Sequence, residues 1–255
     1  MGTVKTAQEI QAMREGGKIL AAVLDEVVRR VAPGVSTLFL SDLAHERIFA
    51  HDAKPSFLGY QPSGSASPYP AALCVSVNDE VVHAIPSAKR MLKEGDIVGL
   101  DLGLWYGGMC VDMAVTVGVG AVGATAQKLI EVTRQSLSRG ITAVRNGART
   151  GDIGFAIASY VEKNGFGVVR DLAGHGVGYK VHEDPLIMNF GKKGTGEQLL
   201  TGMTIALEPM VTEGDWHVTI DRDGWTIRTR DGKLAAHFEH TLVVMDDGCE
   251  ILTEL

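Results

Sequence analysis

Apolar residues recur with a helical period at Ile10, Met13, Leu20, Val23, Leu24, Val27 and Val28, which predicts a helix over residues 6–31. Ala32-Pro33-Gly34 ends it, because proline and glycine break helices. A second helix is expected at about 37–50. Residues 55–70 are rich in Ser, Gly and Pro and read as a loop within a domain, since strand signals resume at once. Residues 72–77, 97–106 and 109–119 carry strand patterning, and Gly107-Gly108 predicts a two-residue hairpin turn between the last two. The order then repeats. Helices are expected over 125–146 and 152–164, the second with Thr150 as its N-cap, followed by strands at 166–172, 203–210, 217–220, 225–229 and 235–245.

A short internal echo accompanies that repeat. Gly95-Asp96-Ile97-Val98-Gly99-Leu100-Asp101 parallels Gly202-Met203-Thr204-Ile205-Ala206-Leu207-Glu208, each a glycine, an apolar-rich strand and an acid six residues on. Seven residues do not prove a duplication. With the repeated element order they suggest two related halves meeting at a shared site.

Composition narrows the class. The chain has 255 residues, 45% of them hydrophobic and 22% charged, which suits a globular domain and excludes a disordered chain, a collagen or a coiled coil. The net charge of −7 does not favour non-specific binding to nucleic acid or acidic lipid. No apolar run approaches the roughly 20 residues of a membrane helix. Residues 1–10 have no apolar core, so no secretory signal is expected, and three scattered cysteines imply neither a disulfide framework nor a zinc knuckle. A cytoplasmic monomer is the expectation.

The candidate chemistry is acidic. With Gly107-Gly108 as the turn, residue 106 pairs with 109, so Asp112 faces Gly103 and Asp101 lies diagonally across from Asp112 on one strand face. Two carboxylates so placed repel and need a cation in an apolar setting, although the pair alone also suits a solvated hairpin face. Gly174-His175-Gly176-Val177-Gly178 surrounds an imidazole with glycines that permit close approach, with His182-Glu183 soon after; a plain loop with two histidines fits as well. Glu208 interrupts an apolar strand before Pro209, and Glu239 does so before Thr241-Leu242-Val243-Val244. Four carboxylates and one imidazole suit two divalent first-row metals sharing bridging oxygens better than a structural tetrahedral zinc.

These five residues, their spacings and their flanking motifs resemble the bacterial-type methionine aminopeptidases. The likeness extends from Thr6-Ala7-Gln8-Glu9-Ile10 through Val77-Asn78-Asp79-Glu80-Val81-Val82-His83 to Phe238-Glu239-His240-Thr241. It implies an α/β (α+β) pita-bread fold: one catalytic domain over 1–255, its pseudo-twofold halves at about 1–120 and 121–255, with a central curved antiparallel sheet and helices outside. It also implies two divalent metal ions (Co, Mn, Fe or Zn). Asp112 and Glu239 would bridge them, Asp101 would hold the second, and His175 with Glu208 the first. Glu208 would be the proton acceptor, His83 and His182 the non-ligand histidines at the scissile bond, and Tyr69, Cys74 and Trp225 the surroundings of the methionine side chain.

The implied activity is removal of the initiator methionine from nascent polypeptides with a small second residue, at the ribosome. A proline-specific peptidase of the same fold and an inactive protein-binding scaffold are the alternatives. Three departures stand out. Val181 occupies a position where many members have Phe, so a wider methionine slot is expected; His237 replaces a commoner Gln; and the stretch 61–68 looks longer than usual.

Overall fold

The computed structural model describes residues 2–62 and 67–255; the middle of the expected long stretch 61–68 lies outside them. The first half runs α1 (Ala7–Val28), α2 (Thr37–Ala50), β1 (Lys54–Pro55), β2 (Leu73–Val77), β3 (Glu80–Val82), β4 (Ile97–Tyr106) and β5 (Met109–Gly118). The second contains α3 (Ala124–Thr142), α4 (Thr150–Lys163), β6 (Gly167–Val168), β7 (Ala173–Gly176), β8 (Glu183–Met188), β9 (Thr204–Leu207), β10 (Met210–Thr212), β11 (Val218–Ile220), β12 (Ile227–Thr229), β13 (Ala235–His237), β14 (Glu239–Val244) and β15 (Cys249–Ile251).

One antiparallel sheet carries both halves. Its order is β1-β4-β5-β14-β9-β7-β8, with β2 also on β4 and β15 on β14. Read outward from the β5/β14 junction, the run β5-β4-β2 mirrors β14-β9-β7, a pseudo-twofold arrangement. The internal echo lies on this symmetry. Gly95 and Gly202 have φ of 87° and 86°, a left-handed conformation that glycine adopts without steric cost. Gly95 N–H donates to the Val119 carbonyl (2.9 Å) and Val119 N–H to that of Asp96 (2.8 Å), while Gly202 N–H donates to Val244 (2.9 Å) and Val244 N–H to Met203 (2.9 Å).

The helices cover the sheet in pairs. α1 is held at its start by a capping box in which Thr6 and Glu9 satisfy each other's backbone N–H groups. It buries Met13, Leu20, Val23, Leu24 and Val27 in a core shared with Leu40, Leu100, Leu102 and Val111. α3 and α4 bury Leu129, Leu137, Ile153, Ile157 and Val161 in a second core with Ile205, Leu207 and Leu242.

Several boundaries differ from expectation for identifiable reasons. α3 stops at Thr142 because residues 143–148 turn back to the sheet, where Asn146 N–H donates to the Met245 carbonyl (3.0 Å). α4 begins at Thr150, so Thr150 is its first residue; the cap interaction comes from Asp152, whose carboxylate accepts the Arg149 N–H at 2.9 Å. Only Gly167–Val168 of the expected strand 166–172 pairs, and the glycine-rich segment after it forms β7 instead. The expected strands 203–210 and 235–245 both divide, at Glu208-Pro209 and at Phe238. In each case one piece (β9, β14) stays in the large sheet and the other (β10, β13) joins the three-stranded sheet β13-β10-β6. β1, β3, β8 and β15 are short strands with no pattern of their own.

Candidate active site

The acids sit where strands cross the middle of the large sheet. β4 and β5 pair in the anticipated register, Tyr106 with Met109 and Gly103 with Asp112, so Asp101, opposite Ala114, is the diagonal neighbour of Asp112. On the other side of β5, Ala114 faces Glu239, the first residue of β14. Glu208 follows the last residue of β9, whose Leu207 faces His240. The two glutamates therefore sit at the two breaks where the chain passes between the large and the small sheet, Glu208 as it leaves the large sheet and Glu239 as it joins it. β5 and β14 are clamped there by Thr241, whose Oγ1 accepts the Asp112 N–H (2.9 Å) and donates to its carbonyl (2.8 Å).

His175 arrives on β7, opposite Ala206 of β9. A Cβ on Gly174 would stand 2.5 Å from the Ala206 carbonyl oxygen, and one on Gly176 2.1 Å from that of Asp184, so only glycines let β7 fit between β9 and β8. The imidazole has a defined tautomer. Its Nδ1 donates to the Gly176 carbonyl (2.8 Å), which leaves Nε2 with a free lone pair, 3.3 Å from Glu208 Oε1.

The resulting cluster is a strong fit for divalent cations. Asp112, His175 and Glu239 each bring a ligand atom within 4.8 Å of the others. Asp101, Asp112, His175 and Glu239 are buried, no lysine or arginine lines the cavity they share, and Asp101 Oδ1 and Glu239 Oε1 have no hydrogen-bond partner among the described residues. Burial, with mutual repulsion added, pushes the Asp101, Glu208 and Glu239 carboxyls well above the usual range; burial pushes Asp112 to about 7. Buried, unneutralised carboxylates with orphaned oxygens are the donor set that a hard or borderline divalent ion completes.

Around this cluster lies a cavity of about 120 Å³. It brings together all five acid and imidazole positions with His83, His182, Tyr69, Cys74 and Trp225, ten of the eleven residues singled out from sequence. Tyr69 donates its hydroxyl to the Ala84 carbonyl (2.8 Å) and meets the Trp225 ring edge-on at 5.2 Å. His83 follows β3 with φ of 60°, a left-handed conformation uncommon outside glycine and frequent at functional sites. Burial lowers its pKa to about 4, and burial with the adjacent His182 lowers that of His175 to about 3, so both are neutral near pH 7. His182 sits on the loop after Gly178. That loop is tied down through Glu183, which accepts from Lys5 Nζ (2.7 Å), Thr3 Oγ1 (2.6 Å) and Lys180 N–H (3.0 Å).

Val181 is set apart from the cavity. Its side chain is 3% exposed, packed in the first core, and turned toward the depression on the other side of His182. The ring walls come instead from Phe57 and Tyr60, which sequence reasoning passed over. Their only local signal is that, with Leu58 and Tyr69, they interrupt an otherwise small and polar loop. His237 also belongs here: its Nε2 lies 3.8 Å from both Glu208 Oε2 and Glu239 Oε2, and burial lowers its pKa to about 3.

Known proteins match this arrangement along its length. Residues 11–246 match the profile of Metallopeptidase family M24. Methionine aminopeptidase B of Synechocystis sp. is 46% identical over 97% of this chain and 90% of its own. The crystal structure of methionine aminopeptidase from Thermotoga maritima superposes with a TM-score of 0.96 at 45% identity, covering all of both chains, and the shared architecture is the pita-bread fold. The Xaa-Pro dipeptidase of Bacillus anthracis shares that fold at a TM-score of 0.75 but only 20% identity, and this chain covers 62% of it. By identity over nearly its whole length, the chain belongs to metallopeptidase family M24 and, within it, to the methionine aminopeptidases.

Proposed function

We propose that this protein is a metalloaminopeptidase that removes N-terminal methionine from polypeptides whose second residue is small. It would act as one catalytic domain over 1–255, with halves at about 1–120 and 121–255 joined at the β5/β14 seam. The observation that carries this reading is the convergence of Asp101, Asp112, His175, Glu208 and Glu239 at one narrow cavity that Tyr69, Cys74, Trp225 and Phe57 also line. Aromatic edges and a thiol suit the unbranched, polarisable thioether of methionine.

In this reading Asp101, Asp112, His175, Glu208 and Glu239 would together hold two divalent ions; Co, Mn, Fe and Zn all suit the donors. Ions held there supply a water activated for attack near neutral pH and a charge that anchors the free α-amine of the substrate. Glu208 accepts the proton released on attack. His182 donates from Nε2 to the developing oxyanion, in the tautomer whose Nδ1 accepts from the Tyr60 hydroxyl 2.6 Å away. His83, neutral and fixed by its backbone, stabilises the leaving nitrogen. A small second residue is required because it must lie between His83, His182 and the carboxylates, where positioning for attack is strict.

The substrates would be nascent chains at the ribosome, met by a cytoplasmic monomer. Among the described residues no helix is long and apolar enough to cross a membrane, which is compatible with that setting. The test is methionine release, with added divalent cations, from Met-Ala-Ser, Met-Leu-Ser and a Xaa-Pro peptide. Cleavage of Met-Ala-Ser far ahead of the others is expected. Equal cleavage of Met-Ala-Ser and Met-Leu-Ser would overturn the small-residue rule, and preference for Xaa-Pro would move the protein to the proline-specific peptidases.

A further inference from the structure

A second depression, of about 410 Å³, adjoins the catalytic cavity and shares Tyr60 and His182 with it. Pro55, Leu58, Trp105 and Tyr179 form the larger part of its apolar wall, Lys180 also lines it, and among the described residues no carboxylate does. Leu58 and Tyr179 are 44% and 45% exposed, so large apolar surface faces solvent right at the mouth of the site. The hydrogen-bonded Tyr60–His182 pair forms the low wall between the two spaces.

A single large apolar side chain on a surface is ordinary; a group of them continuous with a peptide-processing cavity has an obvious occupant. On the aminopeptidase reading, on which this inference rests, the methionine and its free amine fill the cavity, and the second residue stays beside His83 and His182. The rest of the polypeptide must leave. An extended chain advances roughly 3.3–3.6 Å per residue, so its third and fourth residues are the first to clear the His182 rim.

We propose that the depression is a binding subsite for the third and fourth residues of the polypeptide substrate, and that it favours apolar side chains there. Trp105 and Tyr179 offer aromatic rings and Leu58 and Pro55 aliphatic contacts, a surface that suits an extended backbone carrying apolar side chains. The subsite adds affinity for chains longer than a tripeptide and leaves the bond-breaking groups untouched.

The experiment compares Met-Ala-Leu-Leu-Ser with Met-Ala-Ser-Ser-Ser, using Met-Ala-Ser as the reference substrate. The expected result is a kcat/KM about fivefold higher for the leucine peptide, carried mainly by KM, as partial burial of one or two side chains gives. In Trp105→Ala and in Leu58→Ser this ratio should fall toward one, whatever the absolute rates of the variants. Leu58 is exposed, so its variant tests the subsite even if loss of Trp105 disturbs folding. A ratio of one in the parent protein would overturn the subsite while release from Met-Ala-Ser keeps the aminopeptidase reading intact. A ratio that persists in both variants would also overturn it. If none of the three peptides releases methionine with any divalent cation, the aminopeptidase reading itself falls.

Discussion

The hydroxyl of Tyr60 lies 2.6 Å from Nδ1 of His182, and the two rings meet edge to face with centroids 5.3 Å apart. Burial raises the Tyr60 pKa, so the hydroxyl keeps its proton near pH 7. In the proposed mechanism it donates to Nδ1, which places the His182 hydrogen on Nε2. Tyr60→Phe removes that one oxygen and keeps the ring. It should lower kcat by about tenfold, the upper range for one neutral hydrogen bond, with KM for Met-Ala-Ser little changed. Nitrogen chemical shifts of His182 should move from one tautomer to a mixture. Unchanged turnover together with an unchanged tautomer would refute the role.

Asp112 and His83 line the same cavity with different duties. Asp112→Ala should abolish turnover and bring bound divalent metal, measured on the purified protein, well below the parent level, because its carboxylate would be shared by both ions. His83→Ala should slow turnover and retain the metal. Near-normal turnover of the Asp112 variant with added cation would rule out a shared-carboxylate centre.

The acid cluster makes the stability of the cation-free protein fall with rising pH. Asp101, Asp112, Glu208 and Glu239 have raised pKa values in the fold, so their contribution is full below their unfolded values and is lost as pH climbs through the folded ones, about 7 for Asp112. His83, His175 and His237 are lowered to about 4, 3 and 3, so theirs is full above about 6.5 and is lost as pH falls. The two sets oppose each other below pH 6.5, and above it only the carboxyls still change. After chelation, Tm should therefore drop between pH 6.5 and 8, and added divalent cation should raise it most at pH 8. A flat or rising Tm over that interval would contradict the account.

Phe57, not Val181, should tune the methionine slot. Phe57→Ala opens the wall beside Tyr69 and Trp225 and should reduce discrimination of Met over Leu at the N-terminus by about 1 kcal/mol, roughly fivefold in relative kcat/KM. Val181→Phe forces a ring into a packed core and should cost about 1–3 kcal/mol of unfolding free energy without moving the Met/Leu ratio. Urea titration and paired peptide assays separate the two effects. A shift in the ratio for the Val181 variant would put that residue back in the pocket.

Local chemistry was enough wherever a single element explains a residue. α2 keeps the expected bounds, and the Gly107-Gly108 turn sets a register that places Asp101 and Asp112 diagonally, because a two-residue hairpin leaves no freedom in pairing. The acids themselves were legible because a carboxylate in an apolar strand is costly without a partner. So was the echo of Gly95 and Gly202, whose backbone conformation only glycine adopts freely.

Everything that depends on two distant segments meeting was decided by the tertiary structure. β7 has no strand pattern; it is a strand because β9 and β8 press on either side of its glycines. The strands around Glu208 and Glu239 read as continuous, yet they break at Glu208-Pro209 and at Phe238 because the chain passes from one sheet to another there. Phe57, Tyr60 and Val181 show the same limit in side chains. Which aromatic faces the cavity depends on how residues 57–60 pack against the loop after Gly178, a contact between segments about 120 residues apart that composition, period and spacing do not encode.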